Sequence, residues 1–211
     1  MSAGRRIPAK LDREPLAGAE MIVLSEHVDY WNHLGWRDPY SGRFYSDRQS
    51  VYAKRFGLDS PYTPQMVVDG SSEFVGSDQD LARKAFERAV QAEKIPVRLS
   101  AIAMGPGNVL HAHLETGAAP ADAEVMLAVA LNHAESHVLR GENDGRTLTH
   151  TAVVRTMLNV GTEHRGQGFA KDVQLKLEPG FTRDNLRVIA FVQESGQGKV
   201  LGAAMEQVPA N

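Results

Sequence analysis

The chain has 211 residues, of which 42% are apolar and 23% charged, enough length and apolar content to bury a substantial core. Its net charge of −3 and pI near 6.2 argue against a nucleic-acid backbone as the main partner, because such binders concentrate positive charge. No apolar run approaches the roughly 20 residues of a membrane span, and the lack of cysteine excludes disulfides, thiolate metal ligands and a cysteine nucleophile within these residues.

The opening MSAGRRIPAKLDREPLAGAE has two arginines but no apolar segment behind them, so it does not read as a secretory signal. Met1 to Lys10 is basic and turn-prone, which is poor strand material. In AEMIVLSEHVDYW the continuous apolar run Met21 to Leu24 predicts a strand buried on both faces, as in α/β sheets. Glu26, His27, Asp29, Tyr30 and Trp31 then fall at its C-terminal end, where open α/β sheets collect ligands. His27 and Asp29 are two apart, so on an extended segment they share a face and could form a hydrogen-bonded or proton-transfer pair. The alternative is that they only fix the loop, with Tyr30, Trp31 and Trp36 packed beneath it.

Next, SDRQSVYAKRFG offers Ser46 as N-cap and Gln49 three residues later, a capping box, with Gly57 as the C′ residue. The prediction is a helix from about Asp47 to Phe56. In SPYTPQMVVDGSSEFVG two short apolar segments flank Asp69-Gly70, a hairpin signature. Pro64 has no N–H to give a sheet, so it belongs at the first residue of a strand or at an edge left open. A cis bond at Thr63-Pro64 would serve tight geometry. SDQDLARKAFERAVQAEKIP reads as a helix with Ser77 as N-cap and Leu81, Ala85 and Ala89 along one face, widened by Phe86 and Val90 and stopped by Pro96.

Beyond Pro96 the helical period ends. VRLSAIAM, NVLHAHLE, AEVMLAVALN, HTAVVRTMLNV, DVQLKLE, LRVIAFVQE and KVLGAAMEQV are apolar or alternating segments separated by turn-rich stretches. Seven such strands at short spacing predict a β-sandwich, with a domain boundary at Ile95–Val97 and domains of 1–95 and 96–211. RGENDGRTLTH reads as a loop in this second half, with Arg140, Glu142, Asn143 and Arg146 available to lock the domain contact. The His111/His113 and His133/His137 pairs are the metal-like features, but zinc needs three or four converging ligands. Alternating polar residues on the wet face of a sheet are commonplace, so no metal is assigned. There is no G-x-S-x-G elbow, P-loop or Rossmann glycine pattern, so neither a catalytic residue nor a cofactor is assigned.

SEHVDYWNHLGWRDPYS, RQSVYAKRFGLDSPYTPQMVVDG and FVGSD, with RGENDGRTLTHTAVVR in the β-rich half, closely resemble a bacterial family of thioredoxin-like proteins of unknown function, domain-of-unknown-function family 1223. The resemblance covers most of the chain from about Leu11. It implies a thioredoxin-like α/β domain followed by the β-sandwich-like domain, with Pro64 cis. Family members typically begin with a strand and a cysteine motif resembling F-T-S-x-G-C-x-x-C-P-P-A. Here IPAKLDREPLAGAEMIVLSEHVDYW resembles the end of the cysteine-bearing helix and the following strand. The resemblance thus implies that a central first strand, between Met21–His27 and Gln65–Val68, is lacking, through a downstream start or a natural loss. The former is favoured by the cost of about 1–3 kcal/mol for each buried ladder group left unpaired.

The same resemblance implies a substrate edge at Tyr62, Thr63, Pro64 and Gln65, with His27, Asp29, Tyr30, Trp31 and Trp36 as its rim. It also implies periplasmic or secreted export. Disulfide exchange needs an attacking thiolate, which this sequence does not supply. Two functions follow as expectations: a thiol–disulfide oxidoreductase in an intact form carrying the motif, or a binding module that keeps the groove for an extended peptide or protein partner. A third class is a purely structural β-rich scaffold. An unpaired strand edge would also favour self-association.

Overall fold

A computed structural model of the protein describes residues 20–139 and 144–210. A 3-10 turn at Asn32–Leu34 precedes helix α1 (Arg43–Arg55), strands β1 (Gln65–Val68) and β2 (Ser72–Val75), and helix α2 (Gln79–Gln91). Seven strands follow: β3 (Val97–Gly105), β4 (Val109–Thr116), β5 (Ala123–His137), β6 (Thr147–Glu163), β7 (Phe169–Lys176), β8 (Leu186–Glu194) and β9 (Val200–Gln207). The described residues divide into two compact units. Residues 20–91 and His133–Val154 form the first; Ala92–Asn132 and 155–210 form the second. The chain first crosses between them after Gln91. The return of His133–Val154 to the first unit differs from the sequence reading, which assigned all residues after 95 to the second domain. Arg140, Glu142 and Asn143, like Met1 to Lys10, lie outside the described residues. Arg146 accepts a hydrogen bond on its C=O from the Val138 N–H, 2.9 Å away, in the connection between β5 and β6.

In the first unit, α1 starts one turn earlier than predicted, with Gly42 rather than Ser46 at its N-cap. Ser46 lies inside the helix, where its hydroxyl donates to Asp29 Oδ1 at 2.6 Å, and Gln49 is engaged with Tyr30 and Tyr62. The apparent capping box is thus two tertiary contacts. The C-terminal prediction fits better. Gly57 has φ +70°, its N–H bonds Lys54 C=O, and Leu58 N–H bonds Ala53 C=O, a Schellman motif. β1 and β2 pair antiparallel, joined through Asp69 and Gly70, both at positive φ as a tight hairpin turn requires. α2 is capped by Asp78, not Ser77: Asp78 Oδ1 accepts the Leu81 N–H at 2.9 Å. Its buried face is Ala82, Ala85 and Phe86, packed with Val68, Phe74, Met21, Met66 and Ala89. Leu81 and Val90, placed inward by the sequence reading, are 43% and 48% exposed. Ala85, Phe86 and Ala89 face inward as read, and the face extends to Ala82 rather than to Leu81 and Val90.

The strand predicted at Met21–His27 is not formed as such. Met21 to Tyr30 is half-buried, and its sheet contact is a single parallel bridge from Ser25 to Val153. A strand covered on both faces needs ladder neighbours on both sides, and among the described residues this segment has one.

In the second unit, β3, β4 and β7 form an antiparallel sheet in that order. The other sheet runs β6-β5-β8-β9, with β8 antiparallel to both β5 and β9. Each of the seven segments read as a strand carries one. The alternation in β4, where Leu110, Ala112 and Leu114 are buried, is the one-face pattern of an antiparallel strand. β8 is buried from Leu186 to Gln193 on both faces, and its near-continuous apolar sequence matches that. Glu163, fully buried, accepts hydrogen bonds from Thr116 Oγ1 and the Ala119 N–H, so the carboxylate ties β6 to the turn after β4.

Candidate functional site

The segment that enters β1 is built from the side chains of three elements. Trp31 Nε1–H donates to Thr63 Oγ1 at 3.0 Å, its ring lies 5.4 Å from that of Tyr30, and it stays 51% exposed. Tyr30 O–H donates to Gln49 Oε1 at 3.0 Å, and Gln49 Nε2 donates to Tyr62 C=O at 2.7 Å. One amide of α1 therefore positions both the aromatic loop and the approach to β1. Thr63 and Pro64 are exposed, and the bond between them is cis. Pro64 C=O accepts the Gly76 N–H at 2.8 Å, which extends the β1–β2 ladder to the proline. The two strands form a two-stranded sheet, so the other edge of β1 has no strand beside it among the described residues. Tyr62 O–H and Gln65 Nε2 both donate to Glu73 Oε2 across the hairpin. Burial, together with the Glu73 carboxylate, holds the Tyr62 phenol well above the usual tyrosine range, and burial also pushes Tyr30 up.

His27 does not pair with Asp29. The chain bends at Asp29, so the two side chains do not share an extended face, and Asp29 turns to Ser46, whose Oγ also accepts the Asp29 N–H at 3.0 Å. His27 Nδ1 instead meets Asp38 Oδ2 at 2.7 Å, with both side chains largely buried. The His27 ring lies 4.8 Å from that of His150, and Tyr40 is edge-on to both. Ser136 Oγ and His150 Nε2 are 2.8 Å apart. Burial raises the Asp38 carboxyl, but the hydrogen bond and charge of His27, the Tyr40 N–H and the charge of His150 outweigh it and hold it below the usual aspartate value.

The structure thus brings Tyr30 and Trp31 to Tyr62, Thr63, Pro64 and Gln65. It sets His27 in a second cluster and Asp29 in a helix contact. Trp36 is half-buried, and no hydrogen bond or ring contact among the described residues joins it to either group. Asp38, Tyr40, Glu73, Ser136 and His150 were not singled out from the sequence, and Gln49 was read only as part of a capping box. Asp38 and Tyr40 stand in GWRDPYS; Tyr40 meets Glu135 and His150 about a hundred residues away in the chain, whereas Asp38 meets His27 eleven residues away, across a loop with no repeating period to mark the contact. Among the described residues no group of three or more His, Asp or Glu is arranged to hold a metal. His113 is engaged by Asp172 at 2.6 Å and His137 by Thr147 at 2.9 Å.

The chain is similar in structure to Agrobacterium tumefaciens protein AGR_C_4864, with a TM-score of 0.72 and 21% identity over 99% of this chain and 88% of that one. The similarity shows a shared fold. Spo0M, a sporulation control protein from Bacillus subtilis, aligns over 55% of this chain and 47% of its own at 11% identity and a TM-score of 0.37, too low to carry an argument. No curated protein matches the sequence. No helix among the described residues is long and apolar enough to cross a membrane. The family model described as Protein of unknown function (DUF1223) matches residues 4–193, and the chain belongs to that family.

Proposed function

We propose that this protein is a thioredoxin-like binding module that holds an extended peptide or protein partner along Tyr62, Thr63, Pro64 and Gln65, with Trp31 as the aromatic anchor. The observation that carries this reading is the half-exposed Trp31 indole, hydrogen-bonded to Thr63 beside a β1 edge with no strand neighbour among the described residues. An extended chain adds to such an edge through main-chain hydrogen bonds, and a pre-positioned aromatic side chain supplies much of the binding energy. Binding without chemistry is the natural reading of these 211 residues, because disulfide exchange requires a thiolate.

The redox reading applies to a form carrying a C-x-x-C segment, whose disulfide substrate would lie on the same edge. The position of the exposed Thr63-Pro64 at the start of β1 favours it. The family resemblance that motivates both readings also suggests a periplasmic or secreted location. Titration with short, unstructured, cysteine-alkylated peptides, followed by calorimetry, tests the binding reading. Saturable binding is expected, with a loss of affinity of about tenfold or more in Trp31→Ala. If no peptide binds, or if Trp31→Ala and Thr63→Val bind as tightly as the parent, the reading is overturned. Insulin reduction by a version extended with the cysteine motif tests the redox reading separately, and inactivity on several disulfide substrates removes its support.

A further inference from the structure

Residues 25–45 hold His133–Val154 at two ends of different chemistry. At one end Ser25 N–H donates to Ala152 C=O at 2.8 Å, Val154 N–H to Ser25 C=O at 3.0 Å, Ser25 Oγ to Thr151 C=O at 2.6 Å, and Tyr45 O–H to Val154 C=O at 3.0 Å. None of these groups titrates in mild acid. At the other end sit His27 and His150, ring to ring at 4.8 Å, with Tyr40 edge-on to both at 5.8 and 5.7 Å and donating its O–H to Glu135 C=O at 2.6 Å. The groups that face this pair include Asp38 and Tyr40 from the loop, and Ser136 with the Glu135 main chain from β5. Glu26, next to His27 in sequence, is engaged by Arg48 of α1.

We infer that the His27–His150 pair is a proton-operated clasp. It holds the end of β5 and the start of β6 on the 27–40 loop near neutral pH and releases them when both rings are protonated. One proton on the pair is balanced by Asp38, whose carboxylate lies 2.7 Å from His27. A second proton sets two imidazolium rings side by side against that same carboxylate. Their repulsion is weakly screened, because the His27 and Asp38 side chains are 14% and 21% exposed. Histidine is the side chain whose ordinary charge change lies in mild acid, so the test spans neutral pH to about pH 5. The Ser25 end does not titrate, so the release is local and the unit stays folded.

Hydrogen exchange on the full chain tests this. The readout is the protection of 133–139 and 144–150 relative to α2, a ratio from which the intrinsic pH dependence of exchange cancels. In the parent the ratio should fall by about tenfold between neutral pH and about pH 5. In His150→Gln, whose amide can still bond Ser136, the ratio should stay flat, and likewise in His27→Gln. A flat ratio in the parent, or an undiminished fall in both variants, overturns the clasp. If His150→Gln loses α2 protection and is therefore unfolded, His27→Gln decides alone. Neither result depends on peptide binding, so this proposal and the proposed function succeed or fail separately.

Discussion

Arg48 lies on α1 with its side chain 6% exposed, its Nε 3.2 Å from Glu26 Oε1 and its terminal nitrogen donating to Tyr52 O–H at 3.1 Å. Burial raises the Glu26 carboxyl, and the charge and hydrogen bond of Arg48 pull it back down without cancelling the rise. Arg48→Met would leave that carboxylate without its counter-charge. The expected loss is at the low end of the ~3–5 kcal/mol seen when one partner of a buried pair is removed, because Glu26 keeps some contact with water. Denaturant unfolding measures it. The loss should shrink as pH falls towards 4.5, the ordinary glutamate value, where protonation removes the uncompensated charge. Asp38 behaves in the opposite sense. Its carboxyl is lowered in the fold, so its stabilisation is complete above the ordinary value of 3.8 and disappears as pH falls below it. Asp38→Asn should therefore unfold less steeply with acid below that value than the parent, as followed by circular dichroism. An equally steep acid limb would show that the His27 contact contributes nothing.

At the level of elements, the sequence was a good guide to type and a poorer one to ends and faces. The α1 terminus at Gly57, the Asp69-Gly70 hairpin and all seven later strands follow from local chemistry: a left-handed glycine, a positive-φ turn pair and alternating or continuous apolar runs. Errors arose where a residue suited to capping was used elsewhere. Ser46 and Gln49 have the right spacing for a capping box, but the fold uses them to hold Asp29, Tyr30 and Tyr62. In SDQD both Ser77 and Asp78 are good caps, and only hydrogen-bond geometry separates them. Asp78→Ala is expected to cost about 1 kcal/mol, whereas Ser77→Ala should be close to neutral. Thermal melts of the two variants check this, and a larger loss for Ser77→Ala would contradict the observed cap. The site was half legible for a related reason. Tyr30, Trp31 and the Tyr62–Gln65 segment lie in compact motifs, while His150 and Ser136 reach His27 through a return of the chain that no local period encodes.

For the molecule as a whole, that return decides what can fold alone. The first unit takes Val153 for its bridge to Ser25, Val154 C=O for Tyr45, and His150 for the histidine pair, all from β6. A fragment ending at Ile95 would lack all three. It is expected to show no cooperative thermal transition, whereas the full chain should. A sharp melt for the fragment would mean that the α/β part is self-sufficient and that the boundary read from the sequence is also a folding boundary.

Both indoles of the protein, Trp31 and Trp36, stand within six residues of each other in the loop ahead of α1. Intrinsic emission therefore comes from one corner of one unit, and the seven-stranded portion is spectroscopically dark. Acrylamide quenching of the parent and of Trp31→Ala would separate the half-exposed indole from its half-buried neighbour. A ligand that changes the first signal but not the second has landed on the Thr63 side, so the protein carries its own label at the place where occupancy is to be read.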